Sequence, residues 1–136
     1  MGVDGAIQLY WNSVAHYLIG HYVLQGGFRQ MEYSIEYKYE KLLNARFSLA
    51  ASRKSLRDRV SEAYYHFWLL TENEFEAEGK VIRNKIEQLL TKNKAEDGYI
   101  IPHNVKHMPL KRAEEIAALI LKLYDIIATE YANKKT

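Results

Sequence analysis

One stretch of this sequence places an arginine, a glutamate and a histidine where a helix would bring them to a single face. Arg59, Glu62 and His66 stand at positions i, i+3 and i+7 of a segment with helical character. An arginine can bind a phosphate, and a histidine close by can exchange a proton at it. The alternative is an ion-paired polar stripe on a helix surface, because this spacing also arises often by chance.

A basic stretch overlaps this stripe, at the predicted junction of the second and third helices. Its cations are Arg46, Arg53, Lys54, Arg57 and Arg59. Asp58 is the one acidic residue in the stretch, and four glutamates follow between residues 72 and 78, so charge is segregated although the formal net charge is only +2. Clustered cations can neutralise the phosphates of an RNA or DNA backbone. The alternative is an ordinary solvated basic surface.

Two groupings have the residue types of a metal site but lack its full set of ligands. Glu32, Glu36 and Glu40 form a carboxylate ladder. Ferritin-like bundles add Glu-x-x-His pairs to such a ladder, and no histidine here follows a glutamate by three residues. His103 and His107 lie between two prolines with no third ligand nearby. The chain has no cysteine. We therefore expect neither a metal nor a cofactor.

Helices must position these side chains, because apolar residues recur at helical spacing along most of the chain. The predicted helices span about residues 3–25, 28–51, 55–73, 75–90 and 109–135. Ser55 with Asp58 resembles a capping box at the start of the third, and Pro109 suits the start of the last. Whether the third and fourth are one helix stays open. The face of the second helix predicted to be buried consists of Ile35, Tyr39, Leu42, Leu43, Phe47 and Ala50.

Length and composition favour a single domain over residues 1–136. Of the 136 residues 48% are hydrophobic and 26% are charged, which is typical of a globular protein. Periodicity disappears over about residues 91–109, which we interpret as an irregular connection. The prediction is an all-α fold, a four- to five-helix up-and-down bundle. The N-terminus lacks the features of a signal peptide, and the uncharged residues 5–28 contain too many polar groups to cross a membrane, so we expect a cytoplasmic protein without a membrane span.

Several short motifs resemble the HEPN superfamily of helical bundles. Gly27-Phe28, followed twelve residues later by the run from Glu40 to Ala45, is similar to the glycine-aromatic start and the Glu-Lys-x-Leu-Lys-Ala end of a family helix. Tyr10-Trp11 and Ala15 are similar to the first family helix, and the run from Val81 to Ile86 resembles the family's Arg-Asn motif. The resemblance extends over most of the chain but rests on few residues.

The resemblance implies a site that cleaves RNA without a metal, commonly formed across a dimer. In the family an arginine and a histidine five residues later act together, and an asparagine accompanies the arginine. Arg83 and Asn84 match the motif, but Gln88 stands where the histidine is expected, and glutamine cannot serve as a general base. Arg59 with His66 would restore an Arg and His pair at another place. The implied protein associates with RNA or nucleotides, without strong catalysis, and could be the partner of a nucleotidyltransferase.

A different class of function is also open. The predicted first and third helices are apolar on nearly every side, which is more surface than a small bundle can bury internally. This favours a homo-oligomer, such as a small helical subunit or coat protein that binds nucleic-acid backbone in a nucleoprotein assembly. A helical bundle that binds only protein partners is the third alternative.

Overall fold

The structure, a computed structural model, describes residues 33–91 and 105–135, and these residues form helices and no strand. We name the helices α1 (Ile35–Ala51), α2 (Leu56–Phe67), α3 (Ala77–Leu90) and α4 (Leu110–Lys135). A short 3-10 helix, Glu72–Glu74, lies between α2 and α3. The all-α helical bundle predicted from the sequence is confirmed. The predicted helix at about residues 3–25 lies outside the described residues.

Successive helices run in opposite directions. Lys134 near the end of α4 pairs with Glu36 at the start of α1, with 3.1 Å between Nζ and Oε2. The start of α2 lies beside the start of α4, because Arg57 Nε donates to Met108 O at 2.6 Å. α4 packs against all three other named helices. The described part is therefore an up-and-down bundle, and α1 ends where α2 and α4 begin.

Serine caps determine where α1 and α2 begin. Ser34 Oγ accepts the Tyr37 N–H at 3.1 Å, and Ser55 Oγ accepts the Asp58 N–H at 3.3 Å. A serine oxygen in this position satisfies an N–H that has no partner within the helix. The cap predicted at Ser55 is confirmed. The prediction placed the start of the second helix too early, since Tyr33 and Ser34 precede α1 and are not helical.

The third and fourth predicted segments are separate helices. The prediction that the third helix reaches about residue 73 is wrong, because α2 ends at Phe67 and the chain then turns through the 3-10 helix. Ala77, the first residue of α3, has a left-handed backbone conformation, with φ of 45°. Gly79 does not interrupt the helix but lies inside α3, where an added Cβ would stand 3.4 Å from Phe75 Cβ.

The core follows the apolar spacing of α4. Ala113, Ile116, Ile120, Leu123 and Ile127 alternate at three and four residues and are all buried. This spacing places one stripe of the helix against its neighbours. The stripe follows the helical spacing of apolar residues from which this helix was predicted.

The buried face of α1 differs from the prediction. Leu42 is buried as expected, whereas Phe47 is 61% exposed and Ala50 is exposed. Ala45, Ser48 and Leu49 are buried in their place. α1 packs between α2 and α4, so the buried stripe is rotated away from the residues selected by hydrophobicity alone.

None of the described helices combines the length and apolar character that a membrane crossing requires.

Two adjacent residues of α4 test which face forms the core. Ile120 is fully buried and Leu121 is 40% exposed. We expect Ile120→Ala to lower the free energy of unfolding by about 3 kcal/mol, through lost burial and the cavity left behind. Leu121→Ala should cost less than about 1 kcal/mol. Urea unfolding followed by circular dichroism measures both, and equal losses would contradict the assignment of the core face.

Candidate nucleic-acid interface

Arg83, the arginine of the Arg-Asn motif, lies inside the bundle with 2% of its side chain exposed. Its Nε donates to Leu70 O at 2.6 Å. Its Nη2 donates to Tyr64 Oη at 3.1 Å and to Trp68 O at 3.3 Å. Its Nη1 lies 3.4 Å from Glu87 Oε2. Each nitrogen of the guanidinium therefore has a partner within the protein.

These contacts give Arg83 a role in the fold. The last carbonyls of a helix have no partner within the helix, and a buried carbonyl without a donor is costly. Arg83 supplies donors just beyond the end of α2, where the chain turns toward α3. The rings of Tyr64 and Phe67 lie 5.1 and 5.8 Å from its guanidinium carbon. Burial raises the pKa of the Tyr64 hydroxyl, and the charge of Arg83 opposes that rise in part.

The neighbours of Arg83 in the motif lie nearer the surface. Asn84 is half-buried, and Gln88, at the position expected for a histidine, is exposed on α3. Arg83 itself has almost no surface through which to contact a substrate phosphate. The catalytic role assigned to Arg83 and Asn84 stays a prediction, and the geometry of Arg83 favours a structural role.

Arg59 and His66 are not brought together by their contacts. Arg59 reaches back to α1, where Nη1 donates to Leu49 O at 2.6 Å and Nε donates to Lys54 O at 3.1 Å. His66 lies about 10 Å further along the axis of α2, by the rise of seven residues. Its ring meets the ring of Tyr65 edge to face, with centroids 5.5 Å apart.

His66 has an altered proton affinity. Burial lowers its pKa, the nearby Glu62 carboxylate raises it in part, and Lys41 on α1 lowers it further. The neutral imidazole is therefore favoured in the folded protein.

The predicted basic stretch divides between two places. Arg46 lies along α1 with its guanidinium carbon 5.1 Å from the centre of the Tyr124 ring of α4. The other four cations surround the turn from α1 to α2. There Arg53 and Lys54 are exposed, and Lys54 Nζ lies 3.0 Å from Glu62 Oε2.

Cations at the start of α4 and just before it lie beside this turn, an arrangement that the sequence interpretation missed. The hydrogen bond from Arg57 to Met108 O holds together two segments that are 51 residues apart. We call the combined surface the basic end. It consists of Arg53, Lys54, Arg57, Arg59, Lys106, Lys111 and Arg112.

The basic end carries excess positive charge. Residues 52–62 hold four cations and two carboxylates, and residues 105–112 hold three cations and no carboxylate, which gives +2 and +3. Glu114 and Glu115 follow on the next turn of α4 and reduce the sum from +5 to +3. Lys106 and Lys111 are exposed. The cations of residues 105–112 were visible in the sequence, but their position beside α2 was not.

Among the described residues, no three histidine or acidic side chains come close enough together to hold a metal ion. His103 of the histidine pair lies outside them, and His107 is exposed.

Replacing Arg83 separates a structural role from a catalytic one. Arg83→Gln should lower the free energy of unfolding by about 3 kcal/mol, because it removes the donors to the carbonyls of Leu70 and Trp68 and to the Tyr64 hydroxyl. Lys85→Gln, at an exposed position of the same helix, should change it by less than about 0.5 kcal/mol. Chemical unfolding of both variants is the measurement. An Arg83→Gln protein as stable as the wild type would contradict the structural role.

The lowered pKa of His66 predicts how stability depends on pH. The unfolded chain binds a proton at this histidine more readily than the folded protein does. The contribution of His66 is therefore complete above its unfolded value of 6.5 and is lost as the pH falls through the lower folded value. We expect the free energy of unfolding to fall between about pH 7.5 and 5.5, and to fall less steeply in His66→Gln. Urea unfolding at several pH values measures this, and identical slopes would refute it.

Comparison with known proteins yields no match to a protein-family model, to a curated protein or to a solved structure. The resemblance to the HEPN superfamily therefore stays a prediction. The candidate function rests on the geometry of the basic end.

Proposed function

We propose that this chain is a HEPN-like helical bundle that associates with RNA or nucleotides through phosphate contacts, without strong catalysis. The observation that carries the proposal is the basic end, where cations from two distant segments meet. Phosphate contacts supply most of the affinity of nonspecific nucleic-acid binding. The prediction of an oligomeric nucleoprotein subunit remains the alternative, and it would use the same surface.

The start of α2 and the end of α1 also contribute to the electrostatic potential of the basic end. α2 begins here, and the N-terminus of a helix carries a partial positive charge that favours anions. α1 ends here with the opposite partial charge, but Arg59 Nη1 lies 2.6 Å from the carbonyl of Leu49 and offsets it. The exposed cations are therefore not cancelled by the end of α1.

The absence of strong catalysis is supported by three arrangements. Arg83 is enclosed by its own partners, Gln88 cannot act as a general base, and Arg59 reaches away from His66. An arginine and a histidine on one phosphate would need their groups within hydrogen-bonding reach of it. The contacts of Arg59 with the carbonyls of Leu49 and Lys54 support the proposal that this pair does not act together on one phosphate.

The aromatic residues favour contact with the backbone over contact with bases. The rings of Tyr39 and Tyr131 stack on each other with centroids 4.4 Å apart, and those of Tyr33 and Tyr37 do so at 4.6 Å. Tyr64 is buried. Base recognition by stacking requires ring faces beside a basic groove. These tyrosines instead pack on one another or within the bundle, so they are not expected to stack on bases, although Phe47 and Tyr65 are exposed.

Two lysines of the basic end test the proposal. Lys106→Gln combined with Lys111→Gln should weaken binding of a short single-stranded RNA at low salt. It should also reduce the slope of log K against log salt by about 1.4, since each neutralised phosphate of a single strand contributes about 0.7. The control, Lys80→Gln with Lys134→Gln, changes the net charge equally at exposed positions on α3 and near the end of α4, and it should leave the slope unchanged.

Fluorescence anisotropy titrations at several salt concentrations give these values. Gel analysis of the same RNA after incubation should show it intact. No binding at about 50 mM salt, a range in which phosphate contacts are strong, or equal losses in both double variants would overturn the proposal. Digestion of the RNA would overturn its noncatalytic part.

A further inference from the structure

Arg57 differs from Arg53, Arg59 and Arg83 in how its guanidinium is held. Its Nε donates to Met108 O at 2.6 Å, and the side chain is half-buried between α2 and the start of α4. Its two terminal nitrogens, Nη1 and Nη2, make no hydrogen bond to the residues that the structure describes. One edge of this guanidinium is therefore fixed, and the other has its donors available.

Arg53, Arg59 and Arg83 lack this combination. Arg59 uses both Nε and Nη1 on backbone carbonyls. Arg83 has partners at all three nitrogens and is buried. Arg53 is exposed and makes no hydrogen bond or ion pair within the described part of the chain, so nothing there fixes its orientation. Arg57 alone among these four is both held in place and able to donate outward.

This arrangement suits a phosphate group. The Nη1 and Nη2 donors of an arginine lie in one plane and match two phosphate oxygens, which gives short charge-assisted hydrogen bonds. Binding usually costs the side-chain entropy of fixing a long cation. The bond to Met108 O already restricts Arg57, so less of that entropy remains to be lost when a phosphate binds.

We propose that Arg57 is the residue that anchors a phosphate at the basic end, through paired hydrogen bonds from Nη1 and Nη2. Lys106, Lys111 and Arg53 contribute charge around it without fixed geometry. This inference rests on the proposed function and adds to it a defined point of contact. The ligand group is a phosphate, either within a nucleic-acid backbone or at the end of a nucleotide.

Substitution by lysine tests geometry at constant charge. Arg57→Lys keeps the positive charge but loses the paired donors and the Nε bond. We expect the Kd for a 12-nucleotide single-stranded RNA to rise about tenfold, the effect of losing one bidentate contact, with the salt slope unchanged. Arg53→Lys is the matched control, and its Kd should stay within about twofold, because one unfixed cation replaces another.

A second variant distinguishes a phosphate contact made by Arg57 from a purely structural role of Arg57. Val105 is buried in the segment that Arg57 holds against α2. Val105→Ala loosens the packing of that segment and leaves the guanidinium intact, so it should lower stability in urea while the Kd for RNA changes little. If Val105→Ala raises the Kd as much as Arg57→Lys does, then Arg57 only supports the segment and the proposal fails.

The remaining outcomes distinguish a failure of the Arg57 proposal from a failure of the proposed function. RNA binding that weakens equally in Arg57→Lys and Arg53→Lys, or in neither, overturns the anchoring role and leaves the basic end as a diffuse surface. No RNA binding by the wild type at low salt overturns both. Titration with a nucleoside triphosphate identifies the source of the phosphate. If Arg57→Lys raises the Kd for the triphosphate as much as the Kd for RNA, then Arg57 binds any phosphate group. If it raises the Kd for RNA alone, then Arg57 binds the phosphates of the nucleic-acid backbone.

Discussion

The hydrogen bonds from the Arg83 guanidinium to the carbonyls at Trp68 and Leu70 are the contacts on which the arrangement of the bundle depends. α2 ends at Phe67, and of the two residues that accept from Arg83 beyond it, Leu70 is buried and Trp68 is half-buried, which limits the access of water. The helices α2 and α3 have little direct backbone contact, so a long side chain bridges the space between them. A charged group tolerates such burial because its donors are engaged and aromatic rings cover it.

Long cationic side chains also donate to backbone carbonyls at other turns of the chain. Arg59 donates to the carbonyl of Leu49 near the end of α1, Arg57 to that of Met108 before α4, and Lys38 to that of Glu74 in the 3-10 helix. Helix ends supply carbonyls that lack partners, and long cations can reach them from a neighbouring helix. The cations of this chain are therefore structural groups as well as surface charge. Only those with donors left over can serve a ligand.

Sequence periodicity predicted where the helices lie better than it predicted which face of each helix is buried or which residues it contacts. The stripe of α4 and the cap at Ser55 depend on spacing within one segment, which the sequence displays directly. The exposure of Phe47 depends on the angle at which α1 lies between its neighbours, which no local pattern contains. For the same reason the burial of Arg83 and the position of Lys106 beside α2 were not predicted. Both follow from contacts between residues far apart in sequence.

The central position of α4 bears on the order in which the bundle can fold. This helix contacts each of the other named helices, yet it is made after them during synthesis. Until it emerges from the ribosome, the apolar residues of α1, α2 and α3 that pack against α4 stay uncovered, although α1 and α2 can pack on each other. Incomplete chains that stop before α4 would therefore present exposed apolar surface of the kind that chaperones and proteases recognise.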